Sequence, residues 1–396
     1  YKYYAGFSEG FVEDILGLLE IKTDDIIFDP WNGSGTTTYV SSIKNIKSIG
    51  IDMNPVMTII AKARLQDFTE NDTKIKEILT QSRKYRTTIT ETDALCNWFS
   101  IDTVKKIRNI ERAILDGQFI GSIIKDDNFT INQSFYCLAL FNSVKMLSKN
   151  FKSSNPTWLK KPIENNKVKA TRIEIEKIFL NELKEMNNVL SKKEGSMQLF
   201  PEIKIGESEN ININDESIDV VITSPPYCTR LDYAVMTSIE LAILNLTEDD
   251  FVKLRHSLIG APVIHKEQSQ PLKEWGKTCL ETLKKIELHV SRASKSYYLK
   301  TYQQYFDSIY ASLKEINRVL KKGGKCTIVV QNSFYKDILV DLKEIFIEIL
   351  KGFGWELVYI YEFNSDNNLV DINTKSKKYR VDSKIKEFAI IFRKGE

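Results

Sequence analysis

The sequence predicts an α/β protein: a mostly parallel sheet with a C-terminal antiparallel hairpin, interrupted by a mainly helical insertion. Short β-branched runs alternate with helix-period stretches at both ends of the chain. A glycine loop joins the first strand to the helix after it, and a long polar, helix-rich segment parts the second strand from the third. With 396 residues, 42% hydrophobic and 28% charged, the chain has the make-up of a soluble globular protein with a main core and an accessory domain. The net charge of +3 is nearly balanced, so any grip on nucleic acid must come from local basic patches. No apolar run approaches membrane-spanning length and no signal peptide is visible, which predicts a protein without membrane contact. Five scattered cysteines and only three histidines point to a reducing, cytoplasmic setting and argue against a metal site.

Taken in order, Glu9 to Leu19 has the spacing of an amphipathic helix with Ser8 as its N-cap. Asp25-Ile26-Ile27-Phe28 is a short strand that runs into Asp29-Pro30-Trp31-Asn32-Gly33-Ser34-Gly35-Thr36-Thr37, with a helix from about Thr37. Strand, glycine loop and helix in that order form the first unit of a dinucleotide-type fold. The glycines let a ligand approach the backbone and the helix N-terminus favours an anionic group. Ser48-Ile49-Gly50-Ile51-Asp52 is a second strand, and its final carboxylate lies about 20 residues beyond the glycines, the spacing at which an acidic side chain reaches ribose hydroxyls. No lysine follows Gly35, which argues against a phosphate-gripping P-loop.

A helix follows from Asn54 to about Leu65, and from about 69 onward polar, helix-period sequence dominates, with helices over Thr103 to Leu115, Ile131 to Leu147 and Arg172 to Leu190. The domain plan is therefore a core part at 1–68, a helical insertion at 69–198 and a second core part at 199–396 containing a basic excursion at about 255–300. Within the insertion, Lys149 to Lys161 interleaves Lys152, Lys160 and Lys161 with Phe151 and Trp158. Such a loop could follow a phosphate backbone and stack on bases; the plain alternative is a solvated helical hairpin plugged by Trp158.

Leu199 to Ile205 resumes the sheet, and Ser217-Ile218-Asp219-Val220-Val221-Ile222 leads into Thr223-Ser224-Pro225-Pro226-Tyr227. Neither proline can continue a ladder, and each drives its predecessor toward extended backbone, so a stiff loop stands at the carboxyl end of this strand, where open α/β sheets bind ligands. It offers a hydroxyl at Ser224, carbonyls that no proline N–H can satisfy, and the face of Tyr227. Acceptors beside an aromatic face suit a planar ring bearing an exocyclic amine, because holding the amine hydrogens favours a pyramidal nitrogen with its lone pair free. The alternative is a tight turn that merely caps a strand. Beyond it come a helix from Tyr233 to Leu246, a helix from Tyr302 to Leu320, a turn at Lys321 to Gly324, a strand from Cys326 to Val330 and a helix from Ile338 to Leu350. Trp355 to Phe363 and Phe388 to Phe392 read as the antiparallel pair.

These residues resemble the S-adenosylmethionine-dependent amino-methyltransferases of DNA, which methylate cytosine N4 or adenine N6. The likeness covers roughly 3–65 and 199–396. Four pieces carry it: Lys2-Tyr3-Tyr4-Ala5-Gly6-Phe7, the loop from Phe28 to Thr37, Gly50-Ile51-Asp52-Met53-Asn54-Pro55, and Thr223 to Tyr227. The run Arg318 to Gly324 and the final hairpin support them. The resemblance implies a Rossmann-like methyltransferase sheet with Phe7, Asp29, Pro30, Gly33, Ser34, Gly35, Thr36, Thr37, Asp52 and Met53 around S-adenosylmethionine. Asp29 would meet the methionine ammonium, the Gly33 to Thr37 backbone its carboxylate, and Asp52 the ribose. At the third strand end the family has Gly-Asp-Ala, where this chain has Gly206-Glu207-Ser208. Thr92-Asp93-Ala94 is a rival, and Glu207 is preferred because it lies one short crossover before Ser224.

Serine at position 224 resembles the N4-cytosine enzymes, aspartate or asparagine being the usual adenine-N6 choice, although some adenine enzymes carry serine. The resemblance further implies that a cytosine flipped out of double-stranded DNA stacks on Tyr227 while Ser224 and the carbonyl flanking Pro225 hold its amine, with Pro226 completing the brace. Lys152, Trp158, Lys160, Lys161, Arg230 and Arg292 are the candidate DNA contacts, and a cognate restriction or defence system is a candidate partner. Adenine N6 or an RNA base is the alternative target. A nucleic-acid-binding fold without catalysis is the alternative class, against which Gly33, Gly35, Asp52 and the Ser224 to Tyr227 loop stand.

Overall fold

Apolar, β-branched runs between polar turns become strands β1 (Ile26–Asp29), β2 (Lys47–Asp52), β3 (Glu202–Ile205), β4 (Ile218–Thr223), β5 (Leu320–Gln331), β6 (Ser333–Tyr335), β7 (Ile338–Val340), β8 (Glu356–Asn364) and β9 (Lys386–Arg393). This computed structural model describes residues 6–67, 72–125, 127–151, 159–192, 197, 199–228, 231–364 and 386–396. The backbone divides into a sheet unit, made of Lys2–Met53, Leu199–Asp232 and His256–Glu396, and a helical unit, made of Asn54–Gln198 and Tyr233–Arg255.

In the sheet unit seven strands lie in the order β3-β2-β1-β4-β5-β9-β8. β1 to β5 pair in parallel, and β9 runs antiparallel to both β5 and β8, so the fold is the mostly parallel α/β sheet with the antiparallel C-terminal pairing read from the sequence. Five of the six residues of β4 and the whole run from Cys326 to Gln331 in β5 are buried, as strands covered on both faces must be. One cover is the helix Leu299–Val319. Its Tyr302, Tyr305, Phe306, Ile309, Leu313 and Ile316 recur at three- and four-residue spacings and share a core with Phe28, Val221 and Ile328. Each fully buried side chain of this kind contributes about 1.5–3 kcal/mol. From β1 the chain moves outward through β2 and β3, then returns to β4 on the other side of β1. The carboxyl ends of β1 and β4 thus form the topological switch point.

The helical unit is centred on Ile131–Leu147, which is apolar nearly all round, is buried from Ser134 to Phe141, and packs on Pro55–Arg64 and Arg172–Leu190. Capping boxes, Thr130 with Gln133 and Thr171 with Glu174, start two of these helices.

The structure moves several expected boundaries. By backbone packing the helical unit includes Asn54 and Pro55–Arg64: that helix packs on Ile131–Leu147, and Asn54 donates to Thr237 Oγ1 at 2.9 Å. The unit also takes in 233–255. The helix expected from Tyr233 to Leu246 breaks at Thr237 into Tyr233–Met236 and Ser238–Ile243. Ile338–Val340 is a strand pairing with β6, not the start of a helix; the helix begins at Leu342, where Asp341 caps the Glu344 N–H. Lys321 to Gly324 form an irregularity within β5, not a separate turn: Ile218 faces Leu320 but Val220 faces Lys325.

Candidate active site

β1 and β4 end side by side, with Phe28 paired to Val221. Just beyond, Thr223 Oγ1 donates to Asp29 Oδ1 at 2.6 Å and the Trp31 N–H donates to the same oxygen at 3.1 Å. Asp29 is 2% exposed. Burial pushes its carboxyl up to about 6, opposed only by hydrogen bonds from Thr223, Thr37 and Trp31, with no charged group among the described residues helping to hold the anion. A buried carboxylate served by neutral donors alone is a natural seat for a ligand ammonium.

The glycine loop follows at once. Gly33 (φ 49°) and Gly35 (φ 78°) occupy the left-handed region that glycine enters without strain. The Gly33 N–H donates to Asp52 Oδ2 at 3.0 Å, and the Gly35 N–H donates to the Asn32 carbonyl at 2.7 Å. Two of the amides expected to hold the cofactor carboxylate therefore shape the loop, and Asp52, half-buried at the end of β2, ties it down. Gly50 is required for the same reason: a Cβ there would stand 2.4 Å from Asn32 Cγ. The helix Thr36–Ile43 starts from Gly35 with no side-chain cap, and Thr37 Oγ1, within reach of Asp29, also lies 3.3 Å from the Ile222 carbonyl. Trp31 Nε1 and Asn32 Nδ2 are buried donors without a partner among the described residues. A buried carboxylate with no charged partner among the described residues, idle donors, left-handed glycines and an uncapped helix start fit the amino-acid end of S-adenosylmethionine.

Of the remaining residues assigned to the cofactor, Pro30 is buried, while Ser34 and Met53 are half-buried beside Gly33 and Asp52. The Phe7 ring packs tilted 5.2 Å from Phe11, whose ring meets Phe363 at the end of β8, so its recorded contacts lie toward the β8 edge of the sheet. Glu207 is exposed at the carboxyl end of β3, where the Gly206 N–H donates to the Asp52 carbonyl at 3.1 Å. The rival Asp93 lies in the helical unit, accepts two bonds from Arg108 and caps Leu95.

The proline loop is pinned from three sides. Tyr305 Oη donates to the Pro226 carbonyl at 2.9 Å, Ser333 Oγ donates to the Cys228 carbonyl at 2.7 Å, and Tyr227 Oη donates to Glu387 Oε1 of β9. Ser224 Oγ lies 3.5 Å from Tyr227 Oη. Pro225 is buried, and Ser224, Pro226 and Tyr227 are half-buried. Sequence reasoning missed Asn32, Thr223, Tyr305 and Glu387. Thr223 was findable as the last strand residue beside the motif, but Tyr305 sits on a stripe that reads as core and nothing local marks Glu387.

Of the candidate DNA contacts, Lys152, Trp158 and Arg230 lie outside the described residues. Lys160 and Lys161 are exposed in the helical unit, where Lys161, 3.8 Å from Glu248, helps line a cavity of about 570 Å³. Arg292 is exposed in the sheet unit, beside Ser291, whose hydroxyl meets Tyr335 Oη at 2.6 Å. Among the described residues no helix is long and apolar enough to cross a membrane.

Residues 2–63 and 218–396 match the N6/N4 methylase family model, described as DNA methylase, and these segments hold the glycine loop, Asp52 and the proline loop. The type II methyltransferase M.BsoBI of Geobacillus stearothermophilus is 24% identical over 410 residues, covering 91% of this chain and 79% of that protein. M.AvaI of Nostoc sp. is 24% identical over 425 residues, covering 96% and 83%. M.MvaI of Kocuria varians is 23% identical over 359 residues, covering 85% and 76%. With the family model matching most of the chain and both of its signature loops meeting at the switch point of the sheet, the chain belongs to the N6/N4 DNA methylase family and is an S-adenosylmethionine-dependent DNA methyltransferase.

Proposed function

We propose that the chain methylates the exocyclic N4 amine of a cytosine extruded from duplex DNA. The observation that carries this reading is the bond between Thr223 and Asp29: it places the unpaired buried carboxylate one residue away from the Ser224 acceptor loop. Bound there, the cofactor supplies an electrophilic sulfonium methyl. Asp29 holds its ammonium, the start of the helix Thr36–Ile43 faces its carboxylate, and Asp52 serves the ribose. Ser224 Oγ and the carbonyl flanking Pro225 hold the amine hydrogens of the target. The Pro226 carbonyl is already engaged by Tyr305, so it braces the loop. The Tyr227 ring stacks on the base. A neutral serine at 224 supports cytosine over adenine through the family resemblance. The type II relatives support a cognate restriction enzyme and a cytoplasmic setting, and exposed Lys160 and Lys161 support target reading by the helical unit.

The test is nucleoside mass spectrometry after incubating unmethylated bacteriophage DNA, and separately RNA, with the protein and methyl-labelled S-adenosylmethionine. Label in N4-methyldeoxycytidine is the expected result. Label in N6-methyladenine, or only in RNA, moves the target, and no label in either contradicts the catalytic reading.

A further inference from the structure

Resting on that reading, we propose that Glu387 fixes the hydrogen-bond polarity of the active-site loop, so that Ser224 presents an acceptor rather than a donor to the base. A serine hydroxyl is ambivalent: it can accept from an amine, or donate to a ring nitrogen or carbonyl. A carboxylate can only accept. Glu387 stands in β9 opposite Gln331 of β5 and Phe363 of β8, so the sheet holds its backbone in register, and the neighbouring Lys386 is drawn to Glu362 at 2.5 Å. Tyr227 Oη commits its one hydrogen to Glu387 Oε1. With that hydrogen spent, the Tyr227 oxygen is left to accept, and Ser224 Oγ, 3.5 Å away, is a group placed to donate to it. The serine hydrogen then points away from the base, and its lone pairs face the amine. The chain of polarity runs Ser224 to Tyr227 to Glu387 and ends on a group that cannot reverse it. The Ser224 to Tyr227 link is at the long limit of a hydrogen bond, so it is the weakest member of the chain. The same bond to Glu387 also holds the Tyr227 ring in one orientation for stacking. Glu387 is thus a positioning residue that acts through Tyr227.

The experiment compares wild type, E387Q, E387D, Y227F and the Y227F/E387Q pair for kcat and KM on bacteriophage DNA, for cofactor dissociation constant by equilibrium dialysis, and for Tm. Glutamine can donate from its amide and so permits the reversed chain. E387Q should lose about ten- to a hundredfold in kcat, with KM, cofactor affinity and Tm little changed. E387D, which keeps an acceptor-only end, should recover part of the loss. Y227F should match E387Q, and the pair should be no worse than the poorer single variant. Wild-type kcat in E387Q, or a loss shared in proportion by cofactor affinity and Tm, overturns the proposal. Should E387Q fail to fold, Y227F decides, since it removes one half-buried oxygen, and wild-type kcat there also overturns it. Wild-type protein that labels no DNA would instead sink the underlying function.

Discussion

Buried carboxylates in the two units are kept in opposite electrical circumstances. In the helical unit, Arg108 donates to Glu111, twice to Asp93, and to the carbonyls of Ala242 and Ile243. Burial works against the charge on Arg108, yet Glu111 and Asp93 hold it above its ordinary value. Burial raises the Glu111 carboxyl while Arg108 pulls it back. In the sheet unit Asp29 is as thoroughly buried as Glu111 but among the described residues has only hydroxyl and amide donors, and its carboxyl rises to about 6. The helical unit satisfies its buried charges internally, as a structural scaffold must. At a strand end the sheet unit keeps a buried charge with no charged partner among the described residues, where a cationic ligand can satisfy it.

The comparison breaks first at Arg108. Arg108→Met would strand the buried Glu111 and the half-buried Asp93 and should cost about 3–5 kcal/mol of folding stability in urea denaturation, while cofactor affinity of the folded fraction stays unchanged. Undiminished stability would show that the network is not structural. Next, Ser224→Ala and Tyr227→Ala should each lose most turnover, about a hundredfold or more for Ser224→Ala, yet keep cofactor binding. Loss of cofactor binding in either would misplace the loop. Asp52→Ala should do the reverse and weaken the cofactor, and unchanged affinity there would refute the assignment of that carboxylate. Gly50→Ala forces its Cβ onto Asn32 and should cost about 1–3 kcal/mol of stability, with weaker cofactor binding, in paired melting and dialysis measurements. The smallest effect is on pH. An ammonium requires ionised Asp29, so cofactor affinity should be flat above pH 6 and fall about tenfold per pH unit below it. A flat calorimetric titration from pH 8 to 5 would contradict the pairing.

Legibility differed between these regions for physical reasons. The helices Ile131–Leu147 and Arg172–Leu190 were readable to the residue from their helix-period sequence, and the start of each is written locally in a capping box. The glycine loop, Asp52 and the proline loop were readable because left-handed glycines and prolines constrain backbone through their own covalent structure. What joins them was not. The bond from Thr223 to Asp29 spans 194 residues and that from Tyr227 to Glu387 spans 160, and no local spacing encodes either. The packing of Pro55–Arg64 on Ile131–Leu147 was hidden likewise, since that helix has an ordinary sequence and its partner lies about 70 residues away.

The most direct test replaces Asp29 with asparagine and measures cofactor binding and melting together at pH 7.5. Because the folded carboxyl titrates near 6 and the ordinary value is 3.8, its stabilising contribution is complete below 3.8 and is lost as pH rises through 6, a difference of about 3 kcal/mol against the folded state above that range. Asp29→Asn should therefore melt at the same temperature as wild type or higher while binding S-adenosylmethionine about a hundredfold more weakly. Unchanged affinity, or a protein that is destabilised in proportion to its loss of binding, would contradict the claim that this carboxylate is left unpaired for the ligand.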